Sequence, residues 1–149
     1  MASNFDHQQL VESAADAIMA CDAAGKITLW NAASARMFGF TELEAMGQSL
    51  DIIIPQRQQA RHWEGYHVTM ASGITKYGAS VLRVPAVHKD GHTLSIAFTV
   101  SLMHDAAGKV SAIVAIVRDE SVKFAEERAL RKRIAELEID LGQNSQIKL

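Results

Sequence analysis

The sequence predicts an α+β fold, a five-stranded antiparallel sheet with helices on one face and a further helix at each end. Three observations carry this expectation. Leu94, Ile96, Phe98, Val100 and Leu102 alternate with Ser95, Ala97, Thr99 and Ser101, the period of a strand with one buried face. Two short strands, Ala17 to Asp22 and Lys26 to Trp30, flank a turn at Gly25, and the second runs straight into the helix-capping Asn31. Beyond Asp119 the composition shifts to Glu, Arg, Lys, Ala and Leu, all strong helix formers.

The elements follow in order. Phe5 to Ser13 reads as a helix capped by Asn4 or Asp6, with Leu10, Val11, Ala14 and Ala15 as its apolar stripe. After the first two strands come short helices, Ala32 to Met37, stopped by Gly39, and Glu42 to Ala45. Pro55 suits the first turn of a helix, where its missing amide would have been unpaired anyway, and helical spacing of apolar groups continues to Ser72, with Gly73 as the stop. Tyr77 to His88 is a strand in which Pro85 argues for an edge position or a bulge. Lys89-Asp90-Gly91 turns the chain, and Asp105-Ala106-Ala107-Gly108 turns it again. Val110 to Val117 is nearly all apolar, as a central strand covered on both faces would be. No internal repeat or low-complexity tract stands out.

Length and composition narrow the function. A chain of 149 residues forms one core, and 48% hydrophobic with 21% charged residues is an ordinary globular balance. The formal net charge of −2, with basic residues scattered among acids, gives no reason to expect a nucleic-acid partner. A lone cysteine, Cys21, excludes an internal disulfide and fits a reducing compartment. No apolar run is long enough for a membrane span, and the first residues lack the pattern of a signal peptide, so the expected location is cytoplasmic.

The usual catalytic patterns are missing. There is no phosphate loop, nucleophile elbow, paired-cysteine motif or His-Glu-x-x-His, so no catalytic residue is assigned and the chain is not expected to be an enzyme. His88 and His92 bracket Lys89-Asp90-Gly91, a spacing that could suggest a metal clip, but no third ligand lies nearby in sequence and they read as exposed turn histidines. His62 is different. It shares a helix face with Tyr66 and Met70, with Trp63 alongside, and points toward the sheet. An imidazole on an apolar face is either a core histidine satisfied by a backbone carbonyl or an axial ligand to haem iron.

The block Ile27-Thr28-Leu29-Trp30-Asn31-Ala32-Ala33, with Met37-Phe38-Gly39-Phe40, Gly47, Asp51-Ile52-Ile53-Ile54-Pro55, Lys89-Asp90-Gly91 and Arg118-Asp119, resembles the PAS domain over roughly residues 8 to 120. That resemblance implies the PAS fold and a role in sensing and signal relay. The spacing is nearest to haem-binding PAS domains of FixL type and of direct oxygen sensors, whose proximal histidine lies on the helix after the Ile-Pro motif; Arg61-His62 stands there, and the distance on to Asp90 matches without a gap. The resemblance thus implies haem b held by His62, the metal ligand, in a pocket lined by Tyr66, Leu82, Ile96, Phe98 and Val100, with Ile113 beside them. Those relatives carry a distal arginine or methionine where this chain has Leu82 and Ser80, while Arg83 falls on the opposite strand face. Such a site favours dioxygen poorly, so carbon monoxide, nitric oxide or redox state are comparable signals. Cys21 lies on the first strand, outside the position of the reactive cysteine in flavin-binding light sensors, which leaves noncovalent FAD as an alternative cofactor. A further alternative is a cofactor-free PAS module for dimerisation or protein interaction, or a sensor of a small organic ligand in the same cavity. Glu44 and Lys89 resemble an acid and a base that bridge helix to turn in many PAS domains.

The expected organisation is a capping helix over 1–15, the PAS domain over 16–119, a signalling helix over 120–141 and a frayed tail over 142–149. Leu130, Ile134, Leu137 and Leu141 step by four, three and four, a coiled-coil seam. The expected partner is a second copy, joined through the N-terminal and C-terminal helices, with a downstream effector domain or signalling protein beyond. The chain reads as a sensory fragment of a larger protein or as a stand-alone PAS protein acting on a partner.

Overall fold

The computed structural model describes residues 4–75 and 78–147. Two hairpin turns are built by one pentapeptide, Asp-Ala-Ala-Gly-Lys, which occurs at 22–26 and again at 105–109. In the first, Asp22 Oδ1 accepts from the amides of Ala24 and Lys26, both at 3.0 Å, and Gly25 turns at φ +77°. In the second, Asp105 Oδ1 accepts from Ala107 and Lys109 at 2.9 and 3.0 Å, and Gly108 turns at φ +81°. The short aspartate acceptor and the glycine's access to positive φ make this a local device, and it is a repeat too brief for any longer period to reveal.

Five strands form one antiparallel sheet: β1 (Ala17–Asp22), β2 (Ile27–Trp30), β3 (Leu82–Val87), β4 (Thr93–His104) and β5 (Val110–Asp119), in the order β2-β1-β5-β4-β3. Met19 pairs with Ala115, Ala115 with Val100, Phe98 with Val117, and Leu82 with Phe98. Because side chains alternate, this register puts Met19, Cys21, Ala115, Val117, Ile96, Phe98, Val100 and Leu82 on one face. The core lies there: Ala17, Met19, Cys21, Ile96 and Val117 are buried with Trp30, Phe38, Ile53 and Tyr66 in one cluster. β3 is shorter than the expected strand from Tyr77 to His88. It begins at Leu82, the first residue with a partner on β4, and Tyr77 lies outside the described residues. Pro85 does sit on an edge strand, opposite Ser95.

The helices are α1 (His7–Ser13), α2 (Ala32–Phe38), α3 (Glu42–Ala45), α4 (Gln56–Ser72) and α5 (Ser121–Ile147), with a 3-10 turn at Leu50–Ile53 before α4. α1 starts at its Asp6 cap rather than at Phe5. Asn31 caps α2, and Gly39 closes that helix in the left-handed region at φ +82°. The Asn31 side chain is buried and does more than cap. Its Oδ1 accepts from the amides of Ser34 and Ile18 at 3.0 and 2.9 Å and from the Ser34 hydroxyl at 2.9 Å. Its Nδ2 donates to the carbonyls of Val11 and Asp16 at 2.8 and 3.1 Å. One amide therefore ties the end of α1, the start of β1 and the first turn of α2 together.

Residues up to Asp119 form one compact unit and Glu120 onward a second. The second contains α5, which continues through Gly142 to Ile147. A single glycine costs a helix about 1 kcal/mol relative to alanine, which need not stop one already nucleated over many turns. Leu130, Ile134, Leu137 and Leu141 are exposed along it. Among the described residues no helix is long and apolar enough to cross a membrane.

Replacing Asn31 with alanine strands two part-buried carbonyls and two amides. The expected loss is about 3 kcal/mol, read as a lower urea midpoint. Asn31→Asp keeps the cap acceptor but turns an oxygen toward the Val11 and Asp16 carbonyls, and is expected to destabilise as well.

Candidate functional site

Among the less exposed residues of α4, Gln59, His62, Trp63, Tyr66 and Met70 fall at helical spacing along one stripe. Two aromatic side chains on it fix the helix to the β1–β2 end of the sheet. Trp63 donates from Nε1 to Asp51 Oδ1 at 2.6 Å and lays its ring over Gly25, so closely that a Cβ there would fall 2.3 Å from the indole. Tyr66 is buried and donates its hydroxyl to the Asp22 carbonyl at the foot of the first hairpin. Burial is the main reason that the tyrosine pKa lies above its ordinary value. Burial likewise pushes the nearby Cys21 thiol up to about 12, so the thiol is inert and serves as a small core group.

His62 sits between these anchors. Its ring meets Trp63 edge-on with centroids 4.5 Å apart and lies tilted beside Tyr66 at 5.9 Å. Its Nδ1 is shut off from solvent and has no hydrogen-bond partner among the described residues. Of the two explanations for an imidazole on an apolar face, the carbonyl-satisfied core histidine is therefore not met at this nitrogen. Desolvation pushes the imidazole pKa below its ordinary value, partly opposed by the Asp51 carboxylate. The ring is accordingly neutral near pH 7, the form that coordinates metals.

The apolar strand residues gather on the helix-covered face, as the alternation predicts. Ile96 is buried in the core cluster, Phe98 packs partly buried against it, and Leu82 and Val100 are half-buried. Val84, which shares their face, is 38% exposed. This face is well covered over β1 and less so over β3 and the middle of β4. Arg83 pairs with Ala97 and so occupies the opposite face, leaving Leu82 to look inward. Tyr66, expected as a pocket residue, has its hydroxyl committed to the Asp22 carbonyl.

The turn between β3 and β4 locks onto α2 and α3. The amide of Lys89 donates to the Phe38 carbonyl at 2.9 Å, and its ammonium pairs with Glu44. Glu44 also closes a capping box with Thr41, and the Lys89 ammonium followed by the Thr41 amide draws its carboxyl pKa down to about 2. The helix-to-turn bridge is thus present. His88 is half-buried rather than an exposed turn residue, its ring against Gly39 and stacked on His92 at 4.5 Å.

With this geometry, comparison with known proteins becomes decisive for the fold. A family model described as the PAS fold matches residues 6–119. The chain belongs to the PAS family. It is 28% identical over 137 residues to sensor protein FixL of Bradyrhizobium diazoefficiens, covering 90% of this chain and 25% of that protein. It is 27% identical over 109 residues to the oxygen sensor protein DosP of Escherichia coli, covering 73% of this chain and 13% of that protein. The crystal structure of a PAS domain from Colwellia psychrerythraea superposes with a TM-score of 0.67 at 20% identity, covering 77% of this chain and 94% of that one. The chain spans a quarter or less of the length of the curated relatives it matches. What PAS membership supplies is a sensory domain.

Gly25→Ala tests the α4 anchor. An added methyl group meets the Trp63 ring and forces an L-residue to positive φ, so a loss of about 2–4 kcal/mol is expected, with a red shift of tryptophan emission as the indole is pushed outward.

Proposed function

We propose that this PAS domain binds haem b through His62 and senses a diatomic gas or the redox state of its cell, relaying the change through α5. The observation that carries the proposal is the shielded, unpartnered Nδ1 of a neutral imidazole on the helix that covers the sheet. An unsatisfied polar atom in the interior costs about 1–3 kcal/mol, and the residues present fit a group that would engage this ring. His62 would give its imidazole to the iron. Leu82, Phe98 and Val100, half-covered and apolar, would form the opposite wall, and Ile96 would close it toward the core. Haem held there supplies an open coordination position for a gas and a metal that can change oxidation state. Similarity to FixL and to the oxygen sensor DosP supports the same reading. Leu82 on the inner face and Arg83 on the outer make the distal wall apolar, so carbon monoxide, nitric oxide and electron transfer stand beside dioxygen as signals.

The relay would run from the end of β5 into α5, whose exposed seam of Leu130, Ile134, Leu137 and Leu141 suits a parallel helix from a second copy. An effector reached through that pair is the remaining partner.

Offering haemin to the purified protein is expected to give a Soret band and one haem per chain, lost in His62→Ala and kept in His67→Ala. A protein that stays colourless overturns the haem reading, as does uptake indifferent to His62. Light scattering is expected to give a dimer for the full chain and a monomer for a chain ended at Asp119; an unchanged mass removes α5 from the dimer contact.

A further inference from the structure

The β3–β4 turn brings together three side chains that the sensory reading leaves unused. His88, Asp90 and His92 each offer a donor atom within 4.8 Å of the other two, the one such group of three or more His, Cys, Asp or Glu residues among the described residues. The backbone makes this possible. The amide of His88 donates to the His92 carbonyl at 2.9 Å, which closes the hairpin, and Gly91 turns at φ +94° so that the chain reverses within three residues. His88 and His92 therefore rise from the same side of the turn. The Asp90 carboxylate folds back between them: its Oδ1 accepts from the His92 amide at 3.0 Å, lies 3.2 Å from His88 Nδ1 and contacts His92 Nδ1. The Asp90 amide in turn donates to His88 Nδ1 at 3.1 Å, so that nitrogen is unprotonated, and an ion bound there would replace the amide on its lone pair.

We propose that His88, Asp90 and His92 form a binding site for a divalent transition metal of the zinc type, with water completing the coordination. Two imidazoles and one carboxylate are the donor set such ions prefer, and three protein ligands with an open position are a common arrangement. Zn–N and Zn–O bonds of about 2.0–2.1 Å put tetrahedral ligand atoms about 3.3 Å apart, and the His88 to Asp90 separation of 3.2 Å fits that edge. The two rings now stack at 23°, so one must turn edge-on to reach a shared ion. His92 can do so, since its side chain is 53% exposed, whereas His88 is 21% exposed and held against Gly39. A bound ion would tie the end of β3 to the start of β4 beside the Lys89–Glu44 bridge, fastening the turn through which the sheet holds α2 and α3.

Isothermal titration of the full-length protein, freed of metal and without haem, with zinc chloride tests this above the ordinary imidazole pKa of about 6.5. One saturable zinc per chain is expected. Affinity should fall about tenfold or more in His92→Ala, whose ring carries little packing, and in Asp90→Asn, which keeps an oxygen acceptor for the turn. His62→Ala should leave it unchanged, which separates this site from the haem proposal. Cobalt in place of zinc should give visible d–d bands that the same two variants abolish. No saturable binding, or binding that neither variant weakens, overturns the site.

Discussion

The sheet and its helices depend on the side chain of Asn31. A carboxamide is the smallest group that can accept and donate on two sides at once, and here the accepting side holds β1 and α2 while the donating side holds the end of α1 and the residue before β1. Buried at 1% exposure, it has no water to fall back on, so the three backbone segments must reach it together. Its position immediately after Trp30, whose own indole donates to the Phe40 carbonyl at 2.9 Å, fixes where β2 ends and how the chain passes across the sheet. Serine could serve the cap alone; it could not reach Val11 and Asp16.

The second constraint is how α4 meets the sheet. It is held where Trp63 covers Gly25 and Tyr66 reaches Asp22, both at the first hairpin, and Met70 joins the core farther along. The helix is pinned over β1 and leaves the β3 side of the same face partly open. Leu82, Phe98 and Val100 on that side are only half-buried, while Met19 and Cys21 on the pinned side are buried. His62 is flanked by the two anchoring rings.

Much of this was legible in the sequence because its chemistry is local. The Asn31 cap and Gly39 stop are separated by a single short helix, the alternation of Leu94 to Leu102 is visible without any partner, and Glu44 with Lys89 follows from the family pattern. Placement of Leu82 inward and Arg83 outward needs only a strand's period and proved consistent with the observed register. What stayed hidden needs tertiary contact. Nothing near Asn31 in sequence announces its bonds to residues 20 and 15 positions away. Nor does the helix pattern show that the Tyr66 hydroxyl belongs to Asp22, or that Trp63 is the reason Gly25 can carry no side chain. Strand propensity continues before Leu82, whereas the pairing that defines β3 starts at Leu82 opposite Phe98. The Asp90 carboxylate reads in sequence as part of a turn, and only the fold shows that it is aimed at the rings of both His88 and His92.

The two outer strands of the sheet differ from those within. β2 has only four residues, and β3 carries Pro85 in the middle of its six. A foreign strand seeking to add itself along β3 would meet a residue with no amide to offer, and along β2 a rim too brief to template much. Growth of the sheet sideways, the route by which β-rich domains clump, is thereby blunted at both margins.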